Sequence, residues 1–428
     1  MLFIGVAILV VGHQLWLRAR GWQFNALSPY FLCDWMIFTL LGLGTLFNPP
    51  PYQGFIDELV FCLYVWSGMI TYYLGLHLRL PAISLRLFRI LLPRTWLKRN
   101  KGLATLFFII ALCFFTAIIL FQRAWVMGLS LGEMLALSAV QVYSQTVSEQ
   151  LGALPMIFIY LFTTLSLIHL YRLLQQHRWL QSFALYIFIN LPTLFTASTR
   201  IPIIMGLSIP IAYYHYAKRR INGLLLIATI VGAPVALTLL HGLRGKALFA
   251  WTVSERLIAE TVVVNDLYLL WQNYIDEKLS LEYGSNYFYY SVLSFVPRSL
   301  WSGKPQTSFE TRWTHNLYGS LLDEYGMVNV HTFTPWGEGL VQFGWLGGMV
   351  NLFLYGLILN MTIRFFSQRT YACLVYFFYS ILAATFIRTS VQALLFTTVL
   401  YIFGVWVYES WFLSKIAKEG RISLCVSS

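Results

Sequence analysis

LATLFFIIALCFFTAIILFQ, residues 103–122, is a run of twenty residues without one charged side chain. A helix rises about 1.5 Å per residue, so a run of this length crosses the roughly 30 Å hydrocarbon core of a bilayer. Comparable runs recur along the chain, and about eleven of them have the length of a membrane span. They lack the alternation of polar and apolar residues typical of barrel strands. The sequence therefore predicts an all-α integral membrane protein.

The predicted spans follow one another through a single membrane domain, residues 1–428. One large polar and aromatic loop, residues 242–337, separates the eighth span from the ninth. Because the rest of the chain is so apolar, we expect this loop to carry the chemistry. The eleven spans are Leu2–Leu17, Tyr30–Leu46, Leu59–Leu76, Leu103–Gln122, Leu151–Leu170, Trp179–Leu194, Ile201–Tyr216, Ile221–Leu240, Leu340–Ile363, Tyr371–Ile387 and Val391–Tyr408.

The formal net charge of +12 is explained by the membrane itself. If the N-terminus lies outside and the spans alternate, nineteen of the 29 Lys and Arg residues fall on the inner side. Basic residues concentrate on the cytoplasmic side of membrane proteins, so the excess calls for no nucleic-acid partner. The basic, apolar stretch 79–101 is typical of a helix that lies against anionic lipid headgroups. We therefore expect membrane lipids as partners and the large loop on the outer side.

Neither a disulfide framework nor a metal site is predicted in the outer loop. None of the five cysteines falls between residues 242 and 337. Histidines and carboxylates of the outer loops show no metal-ligand spacing either. We expect a protein without a metal or another cofactor.

Six cations are predicted on the outer side, where the membrane-charge rule should deplete them. Arginine binds phosphate oxygens through two parallel hydrogen bonds, so this group favours an anionic ligand. No nucleotide pool exists outside the cytoplasmic membrane, and a substrate there must carry its own activation, such as a lipid diphosphate. Arg200 is equally consistent with contact to lipid headgroups, and Arg388 with a simple turn between spans. The six are Arg200, Arg244, Arg298, Lys304, Arg312 and Arg388.

Six outer residues are candidates for a general base, and two of them are favoured. The six are His241, His315, Asp323, Glu324, His331 and Glu338. Glu338 follows Thr334-Pro335-Trp336-Gly337 at the predicted start of the ninth helix, where the helix dipole favours an acid even without a catalytic role. His331 lies seven residues earlier in the loop, where a histidine is also common as a plain surface residue. Glu338 is the first choice and His331 the second.

Three patches of the chain resemble the Wzy-type polymerases of O-antigen and oligosaccharide repeat units. They are PRSLWSGKP (297–305), TPWGEGLVQFGWLGG (334–348) and the STR turn before an apolar helix (198–200). The topology of many spans with one large outer loop is similar as well. The arginine-x10-glycine spacing of some members is absent after Arg200, Arg244, Arg298 and Arg312.

The resemblance implies a helical fold of the GT-C type in a bacterial inner membrane, with an active site facing the periplasm. It implies metal-independent transfer of a growing glycan from undecaprenyl diphosphate to a new lipid-linked repeat unit. A chain-length regulator and a flippase are the protein partners it implies. Two alternatives stay open: an O-antigen ligase, which shares the donor but uses another acceptor, and a flippase for lipid-linked oligosaccharides, which is a transporter. A flippase predicts short loops and polar residues spread through the helices, whereas here polarity concentrates in one loop.

Overall fold

A computed structural model describes a little over half of the chain. The described residues are 1–22, 28–78, 101–127, 130, 154–196, 213–215, 262–293, 296, 300–301, 303–305, 309–319, 333–367, 383 and 390–412. Within these ranges the regular structure is entirely helical. Five of these helices are long and apolar enough to cross a membrane. The chain is thus an α-helical membrane protein, as predicted.

Ten longer helices organise the described residues. The short π-helical turn Asn286–Tyr290 and the three-residue helix Ser291–Leu293 lie between the seventh and the eighth. Three predicted spans, 201–216, 221–240 and 371–387, lie almost wholly outside the described residues. The helices are α1 (Leu2–Ala19), α2 (Pro29–Phe47, with a π-helical turn at Phe38–Leu43), α3 (Phe55–His77), α4 (Lys101–Met127), α5 (Leu154–Gln175), α6 (Trp179–Thr196), α7 (Val263–Ile275), α8 (Phe309–Tyr318), α9 (Thr334–Ser367) and α10 (Val391–Phe412).

Helix α9 packs closely against α3 because glycines remove the side chains between them. A Cβ on Gly68 would lie 2.5 Å from Leu352, and one on Gly75 would lie 2.2 Å from the carbonyl oxygen of Phe353. Further along, Asn360 Nδ2 donates to the carbonyl of Leu78 at 2.8 Å. Residue numbers rise together in both helices, so α3 and the second part of α9 run parallel.

The first part of α9 folds back on the second. The helix breaks at Phe343 (φ −145°) and Gly344 (φ 71°). Asn351 Nδ2 donates to the carbonyl of Pro335 at 2.8 Å. In a straight helix residues sixteen apart are separated by about 24 Å, so the two parts must be antiparallel. We call residues 334–342 the short arm and residues 345–367 the long arm.

This hairpin corrects the prediction of one straight span, Leu340–Ile363. The hydropathy of the segment is right, but glycines at 339, 344, 347 and 348 let the backbone reverse inside it. The amphipathic pattern from Ser254 to about Leu281 also predicts a helix in the large loop, and this prediction is wrong at its end. The helix stops at Ile275, because Glu277 takes a positive φ of 57° and the amides of Lys278 and Leu279 cap the carbonyl of Asn273.

The described bundle has two chemically different ends. The hairpin turn at 343–344 lies at the end where α3 begins, and the segment 282–290 packs there. We call this the loop end. The opposite end, which we call the basic end, holds His77 and Arg364, and the guanidinium of Arg20 stacks on Trp16 beside His77. The distribution of charge predicted from the sequence is consistent with this polarity.

The glycine contact inside the hairpin predicts a large difference between two alanine variants. A Cβ on Gly339 would lie 2.4 Å from the carbonyl oxygen of Gly347, whereas one on Gly12 meets nothing within 4 Å. Overpacking of this kind costs about 1–3 kcal/mol, so Gly339→Ala should lower the melting temperature in detergent. Gly12→Ala is the matched control and should be neutral or stabilising, since alanine favours a helix by about 1 kcal/mol over glycine. Equal melting temperatures for the two variants would contradict the fold-back.

Sidedness is testable with two exposed positions. Tyr283 at the loop end is 75% exposed, and Gln176, just after α5, is also exposed. We expect a cysteine at 283 to react with a membrane-impermeant maleimide in intact spheroplasts, and a cysteine at 176 to react only after lysis. The background keeps the buried Cys33 and Cys62 and replaces Cys113, Cys373 and Cys425 with Ser. Labelling of 176 but not 283 would reverse the proposed orientation.

Candidate functional site

Glu338 sits in the short arm of the hairpin and is completely buried. Its carboxylate accepts three hydrogen bonds from three different parts of the chain. Asn286 Nδ2 donates to Oε1 at 2.6 Å, and Asn351 Nδ2 donates to Oε2 at 3.1 Å. The backbone N–H of Val391, at the start of α10, donates to Oε2 at 2.6 Å. One carboxylate therefore joins the loop segment, both arms of the hairpin and α10.

The loop segment docks onto the tip of the hairpin through its backbone. The amides of Glu282 and Tyr283 donate to the carbonyls of Val341 and Gln342, each at 3.0 Å. These carbonyls end the short arm and would otherwise lack intrahelical partners. The Gln342 side chain continues the contact, since its Oε1 accepts from the amide of Gly284 at 2.9 Å. Asn286 is thereby held in place above Glu338.

A second carboxylate, Glu282, holds the described cation of the site. Arg312 Nη2 lies 3.1 and 3.0 Å from its two oxygens, and the Trp313 indole N–H donates to Oε1 at 3.1 Å. The Arg312 guanidinium also stacks 3.6 Å from the centre of the Tyr290 ring. Both side chains of the ion pair are mostly buried, at 10% and 15% exposure. Such a pair fixes the direction of the arginine fork.

Amide side chains link the two carboxylates into one network. Gln342 Nε2 donates to Glu282 at 2.7 Å, and Arg312 lies 3.4 Å from Asn286 Oδ1. Asn286 in turn donates to Glu338. Asn286 thus connects the ion pair of Arg312 and Glu282 to the carboxylate of Glu338.

Tyr287 completes the network as a donor. Its hydroxyl donates to Asn351 Oδ1 at 2.8 Å. Burial, followed by the nearby carboxyl of Glu338, raises the pKa of Tyr287 well above its ordinary value. The hydroxyl therefore keeps its proton, and Asn351 can direct its own N–H groups at Glu338 and Pro335.

Lys304 lies in the predicted proline turn. It is buried, and its Nζ donates to the carbonyl of Val296 at 2.8 Å. Its backbone amide donates to the carbonyl of Trp301 at 3.1 Å, so the lysine ties the turn together. The other predicted site residues lie outside the described residues; they are Arg200, Arg244, Arg298, His331 and Arg388.

The residues that surround Glu338 were missed by the sequence reading. Asn351 carried the clearest signal, because a polar side chain inside a long apolar segment usually faces a partner within the protein. Asn286 follows Gly284 and Ser285, a pattern that predicts only a turn, and Glu282 stands in no pattern that distinguishes it. Arg312 was predicted to bind an anion, and in the structure its anion is Glu282.

This network can orient and exchange protons at a buried carboxylate next to a fixed guanidinium. Amides and carboxylates beside aromatic rings are also the groups that hydrogen-bond sugar hydroxyls. In the described part of the chain, no group of three His, Cys, Asp or Glu side chains is arranged to hold a metal ion.

The fold and site define an α-helical membrane protein with a helical hairpin that carries a buried polar network. Comparison with known proteins gives no match, whether to a family model, to a curated protein or to a solved structure.

Proposed function

We propose that the chain is a glycosyltransferase that polymerises lipid-linked oligosaccharide repeat units at the outer face of a bacterial inner membrane. The observation that supports it best is Glu338, a buried carboxylate at the loop end, linked through Asn286 to Arg312. A carboxylate and a cation at one membrane face are what transfer from a lipid diphosphate requires. The resemblance of residues 198–200, 297–305 and 334–348 to Wzy-type polymerases points to the same reaction. Eleven spans and a GT-C-type fold belong to this proposal.

The reaction forms one glycosidic bond and breaks one bond to phosphate. The acceptor hydroxyl oxygen attacks the anomeric carbon of the donor sugar, and the electron pair of the broken C–O bond leaves with undecaprenyl diphosphate. The hydroxyl proton passes to Glu338. Arg200, Arg244, Arg298 and Arg388, with Lys304, are the residues we assign to the diphosphate, where positive charge stabilises the departing group. His331 is the second choice as base.

If Glu338 acts as a base, the acceptor hydroxyl must come within hydrogen-bonding distance of its carboxylate. Glu338 is completely buried, so an acceptor hydroxyl can reach its carboxylate only if one of the groups that cover it moves away. Asn286 is the natural donor to be exchanged, because it belongs to the loop segment and not to a membrane helix. Docking of substrate would therefore displace the segment 282–290 from the hairpin tip.

The function is tested by deleting the gene and examining the lipopolysaccharide. Loss of a polymerase leaves lipid A-core carrying one repeat unit, and loss of a ligase leaves lipid A-core with none. Loss of a flippase also prevents capping but leaves lipid-linked units on the inner leaflet. A normal ladder in the deletion strain would remove all three functions from this pathway.

Transfer without a metal ion is expected from purified protein. Because cations of the chain itself are assigned to the diphosphate, polymer should form from lipid-linked repeat units in excess chelator at an undiminished rate. The measurement is the glycan ladder with and without EDTA. Activity that disappears in EDTA and returns with magnesium or manganese would overturn the metal-free mechanism.

One structural observation favours the flippase alternative. A cluster of ionisable side chains is buried between α1, α2 and α3, and polarity is therefore not confined to the large loop. Ionisable groups buried in membrane helices frequently serve transport. Purified protein in vesicles separates the two functions, since a flippase moves lipid-linked units without lengthening them.

A further inference from the structure

Three ionisable side chains meet inside the membrane helices near the basic end. His13 comes from α1, Asp34 from α2 and His77 from the last turn of α3. Asp34 is 1% exposed and His13 is 7% exposed, while His77 is half-buried. Ionisable groups at such positions are costly and are retained where they have partners or a function.

Asp34 receives three hydrogen bonds. Gln14 Nε2 donates to Oδ2 at 2.5 Å, and the Tyr73 hydroxyl donates to Oδ1 at 3.1 Å. His13 Nδ1 lies 2.6 Å from Oδ2. An amide N–H and a phenol O–H stabilise the ionised carboxylate. The hydrogen between Asp34 and His13 then resides on the imidazole.

The other nitrogen of His13 faces a second histidine. His13 Nε2 and His77 Nε2 are 2.7 Å apart. Two nitrogens at this distance share one hydrogen, because two N–H groups pointing at each other would clash and repel. The hydrogen has two sources. It belongs to His77 when both rings are neutral, or to His13 when His13 carries both of its hydrogens as imidazolium.

These two arrangements differ by one proton and keep every hydrogen bond. With both histidines neutral the three groups carry a net charge of −1, and with His13 charged they are neutral overall. An unpaired buried charge is far more costly than a paired one, so the arrangement with the additional proton is favoured. A second additional proton would have to break the contact between His13 and His77.

The neighbouring groups act in the same direction. Burial disfavours positive charge on His77, and so does the guanidinium of Arg20, which stacks on Trp16 beside it. The ring of Tyr73 lies 4.2 Å from that of His13. On the far side of Asp34 the described neighbours are Cys33 and Tyr72, which are neutral groups at ordinary pH. The ring of Tyr30 stacks on that of His77, with the ring centroids 5.8 Å apart. Asp34 thus remains the one described anion that faces the histidines.

We propose that His13, Asp34 and His77 form a binding site for a single proton, reached from the basic end through His77. The proton resides on His13, Asp34 neutralises it, and His77 is the acceptor through which it enters and leaves. Beyond the two histidines, Asp34 accepts from Tyr73, and we assign to the site the storage of one proton. In the orientation proposed above, it faces the cytoplasm. The site is independent of the transferase function.

The test is nitrogen NMR of the full chain, labelled with ¹⁵N-histidine and held in lipid nanodiscs. At about pH 6, below the ordinary histidine pKa of about 6.5, we expect an imidazolium signal from His13 and a neutral ring at His77. A through-bond coupling between their Nε2 atoms should be visible and should persist to alkaline pH. Absence of the coupling in the wild-type protein, or imidazolium signals from both residues, would overturn the proposal.

Two variants assign the signals and test the role of Asp34. Asp34→Asn removes the negative charge but keeps the shape, so His13 should become neutral at the same pH; an imidazolium that survives this change would refute the site. His177→Gln is the matched control, because His177 is exposed and lies outside the membrane helices. It should remove one signal and leave the coupling intact. Loss of the coupling in this control would equally refute its assignment to His13 and His77.

Discussion

Glu338→Gln is expected to lower the rate of glycan transfer by about 10² to 10⁴, the usual contribution of a general base. Gln keeps the size of the side chain and one oxygen, which can still accept from Asn351 and the amide of Val391. Its NH₂ group faces Asn286 Nδ2, so one hydrogen bond is lost, at about 1–2 kcal/mol. The variant should therefore fold and bind donor lipid but not turn over. Transfer rates and donor binding, measured on the same purified sample, check this.

Glu338→Leu separates the structural contribution of the carboxylate from the chemical one. Leucine leaves the donors of Asn286, Asn351 and Val391 buried without an acceptor, and each such donor costs about 1–3 kcal/mol. We expect little folded Leu variant in the membrane, in contrast to near-normal amounts of Glu338→Gln. Full turnover by the Gln variant would remove Glu338 from the catalytic residues and leave it as the residue that joins hairpin and α10.

Arg298→Ala and Arg200→Ala are each expected to abolish the polymer or reduce it to very short chains. Each removes a charge-assisted contact to the diphosphate, and loss of one such contact costs about 10² to 10³ in rate. Lysine at either position should restore little, because an ammonium cannot reproduce the arginine fork. The measurement is the length distribution of glycan ladders at matched protein abundance.

The control for these variants is Lys278→Ala. Lys278 lies in the same large loop, but it is exposed and pairs with Asp276 at 2.8 Å on the surface. Exposed ion pairs contribute about 0–1 kcal/mol, so its loss should leave the ladder unchanged. Wild-type ladders from both arginine variants, or an equally short ladder from the control, would remove the phosphate site from the proposal.

Hydropathy was sufficient to locate most described helices. Predicted spans such as 2–17, 59–76 and 103–122 lie within the observed α1, α3 and α4, because twenty apolar residues in hydrocarbon have no alternative that satisfies the backbone. The same measure failed at residues 334–367. It sums apolar character along the chain and does not register a reversal that glycine makes possible at Gly344.

The site was predictable in its residue types but not in its pairing. Arg312 was singled out because the membrane-charge rule should deplete cations on the outer side, and Glu338 because it stands at the predicted start of the ninth helix. Their partners depend on the distance between residues 282–290 and the hairpin, which a one-dimensional pattern does not contain. His13, Asp34 and His77 were missed for the same reason, since each alone is an isolated polar residue in an apolar helix.

The short arm has a consequence for how the protein is made. Nine residues rise about 13 Å, less than half of the hydrocarbon thickness, so this arm is too short to be inserted as a span of its own. The last carbonyls of the short arm accept hydrogen bonds from the amides of residues 282 and 283. Its glutamate accepts from Asn286, from Asn351 on the long arm and from Val391. Val391 leaves the ribosome 53 residues after Glu338. The arm can therefore reach its final position only after α10 has begun to emerge, and the carboxylate is assembled late, when the surrounding helices are already in the bilayer.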